Sequence, residues 1–394
     1  FTVEAFSDYL DRLTPEGRII FVTHGNAELY RLLGLALKAF EKRGIPNQQA
    51  MNHLYSVSKH NMPALVVKKT PFEGKDMQER HAALHQLGYD QGDYFVPFQE
   101  QASYLLPVPN DSTSTIEWSM FDQNLYDLSD GTMTMENFAK KFPLNISLVY
   151  DDNPFFYNFD KTLPSPFRQL YGLLVLGLGV VVMVVSVKKS PDQVKLGFVK
   201  PFARHKKMKW FLLVFLLLGV GFIMLEIALF QKLSLYLGNP VSATSVLLFS
   251  LLLGVGAGSL SSAWITDRLS LAVIFSTIAV FFLSLTYSFF LDKFLASAAS
   301  VPLQAGLLTG SIGFAMGFPF PLTLRMMNNH GLEKFTAAMW GANGLASVAG
   351  AVTAMIIGIE WGFTEVLIAG GGLYLFSSLL FYYIPASGST FRSK

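Results

Sequence analysis

Seven stretches of this sequence are apolar for about the ~20 residues needed to cross a bilayer core. They lie at roughly 169–187, 210–231, 241–265, 270–291, 301–324, 335–358 and 363–385. A helix that is apolar all round has no face to offer water, so lipid or other helices must cover it. The expectation is an all-α polytopic membrane domain of about seven helices over 168–386, with a polar tail over 387–394. The lipid bilayer is the first partner implied.

The charges divide at the same place. Residues 1–167 hold 14 Lys/Arg against 21 Asp/Glu, net −7, and residues 168–394 hold 16 against 7, net +9. A basic excess that borders apolar runs suits membrane flanks and not nucleic acid. The loop KKSPDQVKLGFVKPFARHKKMK, 188–209, carries eight Lys/Arg and one Asp, which places it and the C-terminus in the cytoplasm. Lys232, Asp292 and Glu360 then fall outside, and Arg268 and Arg325 inside. If 169–187 spans, residues 1–167 are extracytoplasmic; if it is interfacial or re-entrant, they are cytoplasmic. The chain holds no cysteine, which excludes disulfides, thiolate–zinc sites and cysteine nucleophiles. It begins at Phe1 in amphipathic sequence with no signal-peptide pattern and reads as a C-terminal fragment whose partner is the missing N-terminal part.

Inside the apolar half a few residues stand out. GFAMGFPFPLTLR, 313–325, places Pro319 and Pro321 within one span, where they must kink or break it. Broken spans mark binding sites in transporters, while a close-packed kink is the plainer alternative. GVGAGS, 254–259, has glycines two apart that cannot share one helix face, and Ala346 and Gly350 have the four-residue spacing of close helix approach. Asn343 lies in the same Gly/Ala-rich span, suited to an interhelical hydrogen bond. Arg325 suits snorkelling to the interface. Glu226 is the sharpest case, because an ionised side chain near mid-membrane costs about 2.5–3.5 kcal/mol on insertion scales. Its helical neighbours Phe222, Ile223, Leu229 and Phe230 offer it no hydrogen bond. Tyr287 and Gln304, with Thr244 and Thr353, lie at matching depth. Glu226 is therefore either a protonated structural acid or a cation or proton site. Glu226, Tyr287, Gln304 and Asn343 are the membrane-side candidates for a substrate or ion.

The polar half alternates helix and strand. Phe6, Leu10 and Leu13 recur at helical spacing, a Pro15–Glu16–Gly17 turn follows, and Arg18–Thr23 is β-rich. Residues 27–44 form a second amphipathic helix, and 53–59 and 64–69 pair as a strand hairpin. The polar region 97–141 is loop with a short helix near Met135–Lys140. Asn110 and Asn145 match the glycosylation pattern too briefly to carry weight. His81 and His85 lie four apart with no third ligand, so no metal is expected. Asp151 and Asp152, in DDNPFFYNF, either attract an amine or form a solvated turn beside an interfacial aromatic belt.

TVEAFSDYLDRLTPEGRI (2–19), LVVKKTPF (65–72), FPLNISLVYDDNPFFYNF (142–159), GFIMLEIALFQKLSLYLGNP (221–240) and GFPFPLTLRMM (317–327) resemble, in order, the spermidine synthase-like proteins fused to membrane spans. SLSSAWITDRLS, 259–270, faintly resembles a cytoplasmic loop of major facilitator transporters, without its first glycine. The resemblance implies a fold in two parts, the C-terminal part of a Rossmann-like class I methyltransferase fold over 1–96 and a linker over 97–167, ahead of the membrane domain. It implies aminopropyl transfer from decarboxylated S-adenosylmethionine to a polyamine, and a bacterial inner membrane. Asn153 stands where the family has Arg. No Gly-rich phosphate loop precedes a helix in residues 1–160, so no residue here is assigned to a cofactor and this stretch alone is expected to be inactive. The alternative is a polyamine or cation transporter, or a scaffold, with a vestigial transferase module.

Overall fold

Phe6 and Leu10 are buried on one side of the first helix, α1 (Val3–Arg12), as their spacing requires. The computed structural model describes residues 1–59, 62–73, 79, 82–89, 94–95, 127–128, 131–172, 206–297 and 300–381. His81, the polar stretch 97–126, all but the first residues of the expected span 169–187, most of the basic loop 188–209 and the tail 387–394 lie outside the described residues. The chain divides into two units, Phe1–Pro164 and Ser165–Lys394.

In the first unit α1 is followed by β1 (Arg18–Val22), α2 (Asn26–Glu41), a single turn α3 (Asn47–Ala50), β2 (Leu54–Lys59), β3 (Met62–Lys68), a two-residue β4 (Tyr94–Phe95) and α4 (Met135–Lys141). The expected order of helix, strand, helix and hairpin is present. The four strands run β1-β3-β2-β4 and every pairing is antiparallel. Thr2 caps α1, its hydroxyl accepting from the Ala5 N–H at 3.1 Å, a standard closure of an otherwise orphaned donor. Helix α2 is the centre of the core: Leu29 through Leu37, Ala39 and Phe40 are buried in it. Leu128, Met133, Met135 and Phe138 close over the same core, with Ile146, Val149 and Phe156 from the following segment.

The second unit contains six helical spans long and apolar enough to cross a membrane. They are α5 (Lys206–Leu237), α6 (Pro240–Ser262), α7 (Leu269–Ala296), a kinked pair α8 (Val301–Met316) and α9 (Pro319–Asn329), α10 (Thr336–Glu360) and α11 (Phe363–Leu380). This is a membrane protein with six such helices among the described residues, against about seven expected from hydropathy. Each agrees with its apolar stretch to within a few residues. Gly238 takes a left-handed φ of 66° after α5 and Pro240 opens α6, the usual way a short link ends one helix and begins the next. Helix α6 packs chiefly on α8, α5 on α10 and α11, and α7 on α11.

These contacts are made at backbone distance. Added Cβ atoms at Gly254 and Gly258 of α6 would strike the carbonyls of Gly310 and Phe314, whereas Gly256 has open space around it. The two-apart glycines therefore do divide between faces. On α10, Gly350 lies against the Val220 backbone of α5, and Ala346 stands beside Gly219. Lipid tails are as apolar as leucine, so helices in a bilayer gain little from hydrophobic burial and rely on such close packing.

Candidate functional site

The kink in the fourth span organises the unit's polar groups. Gly317 and Phe318, at the joint of α8 and α9, both stay in the right-handed helical region (φ −70°, ψ −20° and φ −82°, ψ −46°). The joint is thus a kink and not a loop. Pro319 and Pro321 carry no N–H. The Ala315 carbonyl takes a long bond of 3.4 Å from the Phe318 N–H. The Gly317 carbonyl loses the donor that residue 321 would supply in an unbroken helix.

A cavity of about 330 Å³ opens beside this joint, within the helical unit. Helix α5 contributes Leu218 and Phe222, α6 contributes Val255 and Ser259, and the joint contributes Met316, Gly317 and the run from Pro319 to Pro321. Trp340, Asn343 and Ser347 of α10 and Tyr374 of α11 complete the wall. Sequence reasoning singled out both the proline pair and Asn343, and the structure brings them to one place. The Asn343 amide donates to the Phe215 carbonyl at 2.9 Å, the interhelical bond its position suggests, which leaves the side-chain oxygen as an acceptor. Ser347 donates to the carbonyls of Gly219 and Asn343 at 3.2 and 3.1 Å.

Tyr374 is the wall residue that sequence reasoning passed over. It is 2% exposed, its ring lies against Gly221, and no described residue hydrogen-bonds its hydroxyl. The hydroxyl is not sealed off without a partner, and the cavity is where a partner can come from. In the sequence it is one more aromatic in an apolar helix, and nothing local separates it from a core tyrosine.

Glu226 is half-buried on α5 and makes no hydrogen bond or ion pair with any described residue. Three of the depth-matched candidates are engaged elsewhere. The Tyr287 hydroxyl donates to the Leu308 carbonyl at 2.9 Å and lies 2.6 Å from the Ser311 hydroxyl. Thr353 and Thr244 bond back to Ala349 and Pro240 in their own helices. Gln304 is half-buried in the first turn of α8. Arg325 is more than an interfacial anchor: it donates to the carbonyl of Ser262, the last residue of α6, and to that of Ile265 just beyond it, the latter at 2.9 Å. A cation is favourable at that helix terminus.

In the first unit the acidic pair has a local use. The Thr2 hydroxyl donates to Asp151 Oδ1 at 2.5 Å, and the Asp151 N–H donates to Glu4 Oε2 at 3.1 Å. Asp152 is the next residue of the same turn, closed by the Asn153 N–H on the Tyr150 carbonyl at 2.9 Å. Asp151, together with the Val3 N–H on the Val149 carbonyl at 2.9 Å, thus fastens this segment to the start of α1. Arg31 of α2 holds the remainder, donating to the carbonyls of Phe156, Asn145 (2.5 Å) and Asn158 (2.8 Å). Its guanidinium lies over Phe159, 4.5 Å from the ring centroid, and burial lowers its pKa to about 10. Two grooves beside α4 share Met135, Glu136 and Leu148 and are lined by solvated Lys and Glu side chains. Among the described residues no three His, Asp or Glu side chains gather as metal ligands.

No known protein family, no curated protein and no solved structure matches the chain.

Proposed function

We propose that the helical unit is a solute-handling, transporter-like membrane domain whose binding place is the cavity at the α8–α9 joint. One observation carries this reading: the buried Tyr374, whose hydroxyl has no partner among the described residues, lines a cavity bordered by a proline-kinked helix. Irregular backbone at membrane depth persists where it lines a cavity, and broken helices with freed backbone groups build solute sites in transporters. The test is a flux screen on the whole protein in proteoliposomes with sugars, amino acids, carboxylates and amines. At least one class should show saturable flux that Asn343→Leu and Tyr374→Phe each reduce about tenfold. Saturable flux in no class, or flux that neither substitution alters, overturns the reading.

A second reading makes the chain part of a spermidine synthase-like protein of the bacterial inner membrane that transfers an aminopropyl group from decarboxylated S-adenosylmethionine to a polyamine. The order of elements in Phe1–Pro164 supports it, as do the five stretches that resemble that family in order. It is tested by incubating the whole protein with that donor and putrescine. Release of methylthioadenosine favours it, and its absence with both substrates saturating removes it.

A further inference from the structure

We infer that the cavity at the α8–α9 joint is a site for a small organic ammonium ion, with Glu226 as its counter-charge. The inference rests on the transporter-like reading above and names the class of solute.

The wall carries hydrogen-bond acceptors that an ammonium group can meet. The Gly317 carbonyl has lost its helical donor to Pro321, the Asn343 amide gives one of its two N–H groups to Phe215 and keeps its oxygen free to accept, and the Ser347 hydroxyl donates to two carbonyls. Among the described residues no Lys or Arg lines the cavity. An ammonium group has three donors and no acceptor, and its donors can meet these oxygens. A carboxylate or phosphate would meet no cation among the described lining residues.

The rest of the wall is aromatic. Phe222, Phe320, Trp340 and Tyr374 all border the space, and the rings of Phe320 and Trp340 stand 4.5 Å apart at 60°. Aromatic faces attract a desolvated cation, while the aliphatic remainder of an amine is at home among Leu218, Val255 and Met316.

Charge is supplied from one turn away. Glu226 follows Phe222 by four residues, so it lies about 6 Å further along the same face of α5, and side chains on a helix lean toward its N-terminus, here toward Phe222. A carboxylate in a membrane span without a protein partner is expensive. A cation held one turn below offsets that cost.

The absence of cysteine from the chain permits a direct test. Val255→Cys places a single thiol in the wall at a position that makes none of the polar contacts above. In the whole protein in nanodiscs, methyl methanethiosulfonate should modify that thiol, and n-butylammonium should slow the modification in a saturable way. Butanol and butyrate, of similar size, should not. Adding Glu226→Gln should leave the unprotected labelling rate unchanged and raise the half-protecting butylammonium concentration about tenfold. Equal protection by butanol, protection by butyrate alone, or an unchanged concentration in the Glu226→Gln variant overturns the ammonium assignment and leaves the cavity standing. A thiol at this position that never reacts overturns the cavity reading itself, and this inference falls with it.

Discussion

In Phe1–Pro164 the Arg31 guanidinium is 1% exposed and ends on three backbone carbonyls and an aromatic face. In Ser165–Lys394 Tyr374 is buried almost as fully, at 2%, and its hydroxyl ends on a cavity. The first group closes a structure, because each carbonyl it meets belongs to the segment it holds down. The second leaves one open. The two regions differ in packing as well. The first fills its core with Phe, Leu and Tyr side chains around α2, where burial of apolar side-chain area is the stabilising contribution. The second joins helices through Gly254, Gly258, Gly313 and Gly350, because backbone contact is what remains to drive association in lipid.

The comparison breaks most visibly at Arg31. Arg31→Met removes the donors of three carbonyls and should cost about 3–5 kcal/mol. Limited proteolysis of the whole protein should then cut within 142–160 much earlier than before. Arg31→Lys should not restore protection, since one ammonium cannot reproduce the planar fork. Protection equal to the parent's in the Met variant would show that the segment is held by its aromatics alone.

A smaller effect separates the glycines of the second unit. Gly258→Val must push α6 off the Phe314 carbonyl and should cost about 2–3 kcal/mol of thermal stability in detergent. Gly256→Val, two residues away with nothing in reach, should be neutral or slightly favourable. Equal losses from the two would mean that α6 does not present the 254/258 face to α8.

The smallest effect is a pH dependence confined to the first unit. His53 is buried against Phe40, 4.5 Å between ring centroids, and its Nδ1 lies 3.2 Å from the Lys68 carbonyl. Burial lowers its pKa below the ordinary 6.5. The unfolded chain therefore takes up a proton that the folded unit resists. Stability from this group is complete above 6.5 and is lost as the pH falls from there toward the folded value. His53→Gln should flatten that dependence in hydrogen exchange of β2 and β3, while exchange in α5 through α11 stays as it was. An unaltered slope in the variant would assign the acid sensitivity to another group.

How much of this was readable in advance follows from the range over which each property acts. Span lengths, the break at Pro319, the sidedness of Gly256, and the α1–β1–α2–hairpin order depend on residues within a turn or two of one another. Hydropathy, missing N–H groups and helical period therefore determined them from the sequence alone. Asn343 was found for the same reason, as a lone amide in an apolar helix. Glu226 was recognised as an acid in want of a partner, but the sequence could not say that Tyr287 is already bonded to Leu308 and Ser311. Arg31 and Tyr374 carried no local sign at all. A cation in an amphipathic helix is ordinarily solvated, and a tyrosine in an apolar one is ordinarily core. The role of Arg31 depends on carbonyls far along the chain, from Asn145 to Asn158, and that of Tyr374 on a wall assembled from several other elements. Only the tertiary structure decided them, because the hydrogen-bond partner of a buried group is set by what folding brings beside it, and not by its neighbours in the chain.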